Sequence, residues 1–279
     1  MHDHQLFQQF PLSGEKEISV GKVSVPYHIY DGQGILIGGT ADLASIELIL
    51  QNEVLYPIQT QSGKALMGMW VVNFTEASLG PHNELQFSIL VAHTPQPPVE
   101  DHPLALLKAL FINPDARMFC YGLWNNTETA VAYNRELLGL DAQPNQGTIQ
   151  LNCGQSSSFQ FKDESEQLIV EGEVTLAKQT NLAVGWQMLR LFGLGATMRS
   201  FSQPYLEANV VNPRGDVIPT NADARSFLAA DTPIVQLFDP ITDKLTFGET
   251  SKNNFQFQPQ FIEQFSPFRF VYLEPEPIT

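Results

Sequence analysis

The sequence predicts a β-rich α+β fold, because most of its patterned segments have the spacing of strands and only a few have that of helices. Apolar and polar residues alternate over 23–29 and again over 85–89, which is typical of strands with one buried face. The run 65–74 is almost entirely apolar, as expected for a strand buried on both faces. Residues that favour turns separate these segments.

The composition agrees with one large globular domain. The chain has 279 residues, which is long for a single domain but within the range of barrels. Hydrophobic residues make up 43% of the chain and charged residues 16%, so it can bury a large core and does not have the composition of a disordered protein. We therefore predict a single domain over residues 1–279.

The charge and the absence of targeting signals limit the partners that we expect. A formal net charge of −15 argues against nucleic acid or an anionic membrane surface as a partner. The first residues lack the basic and apolar regions of a signal peptide, and no apolar run approaches the roughly 20 residues that span a bilayer. Cys120 and Cys153 are too few for a disulfide framework. We therefore expect a cytoplasmic protein.

The first third of the chain predicts two further elements, and it shows which residues form the polar face of the strand over 85–89. Glycines interrupt 32–39, so we expect only a short strand there, over 35–37. A helix over 42–50 follows, opened by a good N-cap residue. Glu84, Gln86 and Ser88 alternate with the apolar residues of the strand over 85–89, so all three fall on one face of it.

The middle of the chain contains a proline-rich segment and then several short strands. We expect 94–104 to be irregular and 104–112 to form a short helix, and we interpret the segment as an oligomer contact or a cavity lid. Strands are predicted over 148–151, 158–161 and 168–175. Turn residues separate them, as in a meander or a barrel.

A capped helix between these regions presents a loop. Asn125 is a good N-cap residue, and Glu128 follows at the spacing of a capping box. We predict a helix over 126–138, which Gly139 ends. The loop 140–143 is thereby held in a fixed place, and rigid scaffolds often present functional groups on such loops.

This stretch resembles the acetoacetate decarboxylase family, which has a strand, a short helix ending in Arg-Glu, and a loop with two adjacent lysines. A second match at 236–239 resembles a late strand of the family. The resemblance implies an acetoacetate-decarboxylase-like β-cone or barrel with flanking helices and assembly into a homo-oligomer. Relative to the family's pattern, residues 1–30 form an N-terminal extension and residues 94–112 form an insertion. The residues that match the helix in register are Glu128, Ala130, Ala132, Arg135, Glu136 and Gly139.

The family's two lysines are absent at the positions to which they align. In the family the first lysine forms an imine with the keto acid, and the second lowers the pKa of the first. Counted from Arg135 without a gap, these positions fall on Ala142 and Gln143, which we take as ligand-contacting residues. The family's substrate-facing arginine falls on Gly39. Lys178, near the end of a predicted strand, is a candidate replacement nucleophile if it points into a barrel; the alternative is an outward-facing lysine.

The resemblance also assigns an active-site glutamate to Glu84 and places His82 where the family has an aromatic residue. A carboxyl group in an apolar cavity can have a raised pKa and act as an acid or a base. The alternative is a surface or structural glutamate. Residues two apart on a strand share a face, so His82 and Glu84 could form an acid–base pair. The alternative for His82 is a histidine in a turn.

Arg135 and Glu136 are further candidates for the cavity, Arg135 as a catalytic residue and Glu136 as a ligand-binding one. The alternative is a structural ion pair that holds the helix against the barrel. The histidines have no spacing that we associate with metal ligands, and no phosphate- or dinucleotide-binding motif is present. We therefore predict no metal and no cofactor.

Three functions remain open. The first is an acetoacetate decarboxylase-like enzyme that acts on a small carbonyl or carboxylate compound in a barrel cavity, with Glu84 as acid or base and without Schiff-base decarboxylation. The second is a non-catalytic small-molecule-binding protein of the same fold. The third is a structural or assembly role in which 94–104 forms the contact. The first two predict a small-molecule ligand as the partner.

Overall fold

The chain forms a strand-rich structure whose largest sheet closes on itself. The computed structural model describes residues 4–202, 206–215, 218, 220–231, 233–249 and 255–277. The strands in chain order are β1 (Gly14–Ile18), β2 (Gly21–Val25), β3 (Tyr27–Asp42), β4 (Tyr56–Pro57), β5 (Lys64–Ala77), β6 (His82–Ala92), β7 (Arg117–Asn125), β8 (Ala142–Pro144), β9 (Gln146–Gln150), β10 (Ser156–Lys162), β11 (Leu168–Thr175), β12 (Leu206–Val211), β13 (Ala222–Ala230), β14 (Ile234–Leu237), β15 (Lys244–Phe247), β16 (Gln258–Tyr272) and β17 (Glu276–Pro277). The helices are α1 (Gln5–Gln9), α2 (Leu43–Ile49), α3 (Ala105–Ile112), α4 (Glu128–Glu136) and α5 (Leu182–Ser202).

Seven strands form a closed barrel in the order β16, β3, β5, β6, β7, β12, β13. The barrel closes where β13 pairs with β16, in a register that runs from Ser226 opposite Tyr272 to Ala230 opposite Phe268. Neighbouring strands are antiparallel except β7 and β12, which are parallel. The prediction of a strand-rich barrel with flanking helices is confirmed.

A second sheet, in the order β15, β11, β10, β9, packs against the outside of the barrel. The apolar side chains Leu85 and Phe87 of β6 face outward and share a core with Phe161 of this sheet. The alternate positions Glu84 and Gln86 therefore face the barrel interior. The polar face of β6, which the sequence predicts, is the inner one.

The prediction that glycines interrupt the chain over 32–39 is wrong, because β3 runs unbroken through that segment. These glycines lie in the strand, and three of them, Gly32, Gly38 and Gly39, make room for β16. A Cβ atom at Gly38 would lie 2.1 Å from the ring of Phe261, and one at Gly39 would lie 2.0 Å from the carbonyl oxygen of Gln258. Close approach of two strands, and not a turn, explains the glycines.

The N-cap predicted for α4 is also corrected. The helix begins at Glu128 and its N-cap is Thr127, whose side chain accepts a hydrogen bond of 3.4 Å from the backbone N–H of Ala130. Asn125 is instead the buried last residue of β7. Gly139 follows the helix with a φ of +65°, in the left-handed region that favours glycine, which agrees with the predicted helix end.

The other predicted helices correspond to observed ones. Asp42 caps α2 and accepts a hydrogen bond of 3.0 Å from the backbone N–H of Ser45. The helix expected over 104–112 is α3, which packs on β3, β5 and α5. Within the described residues, no helix combines the length and the apolar character needed to cross a membrane.

Candidate functional site

The barrel contains a cavity of about 360 Å³. Its walls come from the barrel strands, and α3 adds Leu107, Leu110 and Phe111. Most of the lining residues are apolar, and the polar ones are few. A concave apolar space with a small number of polar groups is the usual form of a small-molecule site. The segment 94–112, interpreted from sequence as an oligomer contact or a cavity lid, thus supplies part of the cavity wall.

Glu84 lies on the inner face of β6, with Val72 of β5 and Asn125 of β7 as its neighbours in register. Burial raises the pKa of Glu84 to about 7, against the opposing effect of a hydrogen bond from Asn125. The accessible part of the side chain faces the cavity. A carboxyl group that titrates near neutral pH can both accept and donate a proton under ordinary conditions.

A chain of two amides holds this carboxyl group. The Nδ2 of Asn125 donates a hydrogen bond of 2.9 Å to Oε2 of Glu84, and the Oδ1 of Asn125 accepts one of 2.9 Å from the Nδ2 of Asn134. Asn134 lies on α4, so that helix orients the carboxyl group through Asn125. Sequence reasoning missed this function of Asn125, because the capping-box spacing offered a local explanation for the same residue.

Glu263, on β16, is a second buried carboxyl group in the same cavity. Its side chain is 5% exposed, and within the described part of the chain it has no hydrogen bond and no ion pair. Burial raises the pKa of Glu263 to about 8. Sequence reasoning missed this residue as well. The signal that could have found it is a carboxylate on the same strand face as two buried aromatic residues, Phe261 and Phe265.

The two carboxyl groups project from opposite walls of the barrel. Between β6 and β16 lie two strands, β5 and β3, in one direction around the barrel and three, β7, β12 and β13, in the other. In a closed barrel of seven strands, two strands so related face each other across the interior. Glu84 and Glu263 therefore line different walls of the same cavity.

His82 lies on the same strand face as Glu84, but its hydrogen bonds go elsewhere. Its Nδ1 lies 2.8 Å from the carbonyl oxygen of Gly80, which can only accept, so Nδ1 carries the proton. Tyr27 then donates its O–H to Nε2 over 2.6 Å. Burial lowers the pKa of His82, which keeps the ring neutral. Both ring nitrogens have partners, and the expected hydrogen-bonded pair with Glu84 does not form.

Three buried tyrosines, Tyr27, Tyr133 and Tyr272, lie near His82 and Glu84. Burial, and to a smaller extent the charge of Glu84, raise the pKa of Tyr27 and of Tyr272, so both stay protonated. The hydroxyl group of Tyr133 is buried and has no hydrogen-bond partner among the described residues. The ring of Tyr133 lies 5.4 Å from that of Tyr27, between centroids.

The structure does not bring Arg135 and Glu136 to the cavity. Both are exposed at the end of α4. Arg135 donates from Nε to the carbonyl oxygen of Ala142 over 2.5 Å and from a terminal nitrogen to Oε1 of Gln143 over 3.0 Å. Glu136 accepts a hydrogen bond of 2.9 Å from the backbone N–H of Ser19. These contacts fasten β8 and the β1–β2 hairpin to the helix, which is a structural function for both residues.

The positions aligned with the family's lysines lie in β8, beside β7. Ala142 is fully buried in the core and pairs with Leu123, and Gln143 pairs with Trp124. Lys178 is exposed, beyond the end of β11 and over Gly154, which places it outside the barrel. Among the described residues that line the cavity, none is a lysine or an arginine.

A search of the described residues for three or more His, Cys, Asp or Glu side chains placed to hold a metal ion finds no such group. The polar side chains of the described cavity lining carry carboxyl, amide and hydroxyl groups. Their chemistry is proton transfer and hydrogen bonding.

Comparisons with known proteins add the fold family. No family model matches the sequence, and no curated protein matches it. The structure is similar to a crystal structure of acetoacetate decarboxylase from Legionella pneumophila subsp. pneumophila str. Philadelphia 1, at 9% identity and a TM-score of 0.61 over 99% of this chain and 96% of that one. It is also similar to the enduracididine biosynthesis enzyme MppR complexed with pyruvate, at 10% identity and a TM-score of 0.54 over 90% and 89%.

A third similar structure is an acetoacetate decarboxylase-like enzyme from Sphingomonas wittichii RW1, at 11% identity and a TM-score of 0.53. That match covers 91% of this chain and 92% of the other. The three similarities extend over nearly the whole chain, at sequence identities that establish the fold alone. This chain therefore has the acetoacetate decarboxylase fold.

Proposed function

We propose that this protein binds a small, largely apolar carbonyl compound in the barrel cavity and acts on it with Glu84 as acid or base, without forming a lysine imine. The observation that carries the proposal is a carboxyl group that lines an apolar cavity and is held there by a hydrogen bond from Asn125; burial raises its pKa to about 7. Two structures of similar fold support carbonyl chemistry: one is an acetoacetate decarboxylase, and the other holds pyruvate.

The residues at the two positions aligned with the family's lysines, which lie in β8, support a route without an imine. An imine requires an amine that is neutral and within reach of the carbonyl carbon. Ala142 and Gln143 have no amine that could react in this way, and Lys178 lies outside the barrel. The described lining of the cavity contains no lysine.

The charges in the cavity favour a neutral carbonyl compound over a carboxylate. Three glutamates line the cavity, Glu84, Glu207 and Glu263, and the described lining contains no cation. Glu207 is already paired with Arg225, so a ligand carboxylate would meet no lysine or arginine in the described lining to stabilise it, which is costly in an apolar environment. A neutral ketone needs only a hydrogen-bond donor at its oxygen.

A second candidate function is ligand binding without turnover. The apolar character of most of the lining favours it, because such a cavity can hold a ligand by burial alone. The two functions share the cavity and differ in what Glu84 does.

The experiment measures melting temperature and turnover with a panel of small neutral ketones and the matching keto acids. Ligands that bind the folded state raise the melting temperature by mass action. We compare the wild type with Glu84→Gln and with Glu173→Gln, a matched change at an exposed glutamate of the second sheet. We expect ketones to stabilise all three proteins and turnover to disappear only in Glu84→Gln.

Each other outcome has a definite meaning. If no member of the panel stabilises the protein, the proposed function is wrong. If turnover survives in Glu84→Gln, that residue is not the acid or base. Stabilisation without turnover in the wild type selects the binding function. In a parallel experiment with borohydride, intact mass should show no adduct, and an adduct on any lysine would contradict the route without an imine.

A further inference from the structure

We infer that the barrel cavity is also a binding site for an organic ammonium ion, a primary amine on an apolar body, with Glu263 as its counter-ion and aromatic rings as the walls around it. This inference goes beyond the proposed function, because it names a second class of ligand and requires no reaction. It rests on three features of the described cavity lining: an isolated carboxyl group, a set of aromatic side chains, and the absence of lysine and arginine.

The isolation of Glu263 is the first support. The residue is 5% exposed and lines the cavity, and it has no hydrogen bond and no ion pair in the described part of the chain. Buried polar side chains nearly always have a partner, so an exception requires an explanation. A carboxylate only accepts hydrogen bonds, and an ammonium group only donates them, from three N–H groups. An ammonium ion would therefore supply both the missing donor and the missing positive charge.

Aromatic side chains near this carboxyl group are the second support. Phe265 lies two residues further along β16, on the same strand face, and its ring stacks on that of Trp70 with 5.7 Å between the centroids. A cation is attracted to the face of an aromatic ring within about 6 Å of the centroid, most strongly to that of tryptophan. Burial of the ligand's apolar body against such rings adds to this attraction. The aromatic residues of the described lining are Trp70, Phe74, Phe111, Phe265, Phe268 and Phe270.

The other charges of the lining are the third support, because they leave this position to Glu263. Glu207 is paired with Arg225 over 2.7 Å, and Glu84 accepts a hydrogen bond from Asn125. Among the glutamates of the described lining, Glu263 is therefore the one without a partner, and no lysine or arginine of that lining competes for it. The net charge of −15 also attracts cations to the protein and repels anions.

Binding of the ammonium ion should release a proton. Burial raises the pKa of Glu263 to about 8, so at pH 7 this carboxyl group is mostly protonated in the empty cavity. A cation beside it favours the ionised form and lowers the pKa, and the proton passes to solvent. The amine keeps its own proton, because a primary amine titrates at about 10.4, as a lysine does. Glu84, whose pKa is about 7, lines the same cavity, so the test includes a variant of each glutamate.

The test compares three ligands of similar shape: 2-phenylethylamine, the neutral 2-phenylethanol and the anionic 3-phenylpropanoate. Isothermal titration calorimetry at pH 8 gives each affinity, and titrations at pH 7 in two buffers with different heats of ionisation give the number of protons released. We expect the wild type and the exposed control Glu173→Gln to bind the amine about 10-fold or more tightly than the alcohol, the size of a hydrogen bond to a charged group. The carboxylate should bind most weakly. Binding of the amine should release about one proton, and binding of the alcohol none.

Glu263→Gln keeps the shape of the residue but cannot act as a counter-ion. It should bind the amine and the alcohol within about threefold of each other, because only a neutral hydrogen bond remains. Most of the proton release should disappear. An unchanged affinity for the alcohol would show that the cavity is intact in the variant. Glu84→Gln should keep more of the preference for the amine than Glu263→Gln does.

The other outcomes separate this inference from the proposed function. If the wild type binds the amine no more tightly than the alcohol, or if Glu263→Gln keeps the preference, the inference is wrong, and binding of the ketones still supports the proposed function. A preference lost in Glu84→Gln and kept in Glu263→Gln would place the cation at Glu84 and would also overturn the inference. If neither the three phenyl compounds nor the ketones bind the wild type, both proposals fail.

Discussion

The side-chain amide of Asn125 donates a hydrogen bond of 2.9 Å to Oε2 of Glu84 inside the barrel. The same amide accepts a hydrogen bond from Asn134 of α4, which fixes the direction in which its N–H groups point. The contact favours the ionised carboxylate and so lowers the pKa of Glu84, which burial raises. The balance of these two effects leaves the pKa of Glu84 at about 7.

Asn125→Leu should therefore raise the pKa of Glu84 above its value of about 7. A hydrogen bond to a charged group contributes about 1.5–3 kcal/mol, so the shift should be about one to two pKa units. The measurement is the pH titration of the glutamate carboxyl carbons by NMR. Asn152→Leu, at an exposed amide near the second sheet, is the control and should leave the titration of Glu84 unchanged. An unshifted titration in Asn125→Leu would show that the amide does not tune the carboxyl group.

Glu263 should make the fold less stable as the pH rises. Its pKa is raised from the ordinary value of 4.5 to about 8 in the folded protein, so between these values the folded state holds a proton that the unfolded state has released. The free energy of unfolding therefore falls from about pH 4.5 to about pH 8, by at most about 5 kcal/mol at 1.4 kcal/mol per unit.

Urea unfolding of Glu263→Gln at pH 5, 7 and 9 checks this expectation. The variant should resemble the wild type at pH 5 and be more stable at pH 9, because glutamine cannot ionise. Glu84 has a raised pKa of the same sign, so part of the pH dependence should remain in the variant. Curves for the two proteins that stay parallel from pH 5 to pH 9 would refute the prediction.

Much of the barrel can be predicted from local sequence, since alternation sets the two faces of each strand. This reasoning correctly places Glu84 and Gln86 on one face of β6. It does not say which face is inside, because that depends on where the second sheet packs and on the pairing of β13 with β16 across some forty residues of chain. Polar residues would ordinarily be expected on the solvent side of a strand.

Prediction from local sequence fails at positions where contacts between residues far apart in the chain determine the structure. Asn125 has the spacing of an N-cap, but its side chain donates a hydrogen bond to Glu84 on another strand. The glycines near residue 38 suggest turns, but they accommodate Phe261, more than two hundred residues away in sequence. Arg135 follows the family pattern, yet it binds the backbone of Ala142 and lies outside the cavity. Glu263 occurs in an ordinary apolar strand, and only closure of the barrel brings it to the site.

The function assigned to Arg135 gives another prediction. Arg135→Ala removes the hydrogen bonds that hold Ala142 and Gln143. It should lower the free energy of unfolding by about 1 kcal/mol, since the side chain is exposed to solvent. The titration of Glu84 should not change. Arg269→Ala, which breaks a surface ion pair with Asp231, is the control and should have a smaller effect on stability. A shifted pKa of Glu84 in Arg135→Ala would place the arginine in the site after all.

The packing between β3 and β16 can be tested with one methyl group. Gly38→Ala places a Cβ atom 2.1 Å from the ring of Phe261 and should lower the free energy of unfolding by about 1–3 kcal/mol, measured in urea. Gly14→Ala is the matched control, because no atom lies within 4 Å of the added carbon. The control should stay within about 0.5 kcal/mol of the wild type. Equal effects of the two changes would show that β3 and β16 do not approach so closely.

The measurement that tests the central claim most directly is the carboxyl titration of protein labelled with ¹³C in its glutamates. It requires no knowledge of the substrate. The account predicts a titration midpoint near pH 7 that disappears in Glu84→Gln, because burial in the cavity raises the pKa of that group. If every glutamate of the wild type titrates near the ordinary value of 4.5, Glu84 is not an acid or base poised for neutral pH, and the proposed function is contradicted.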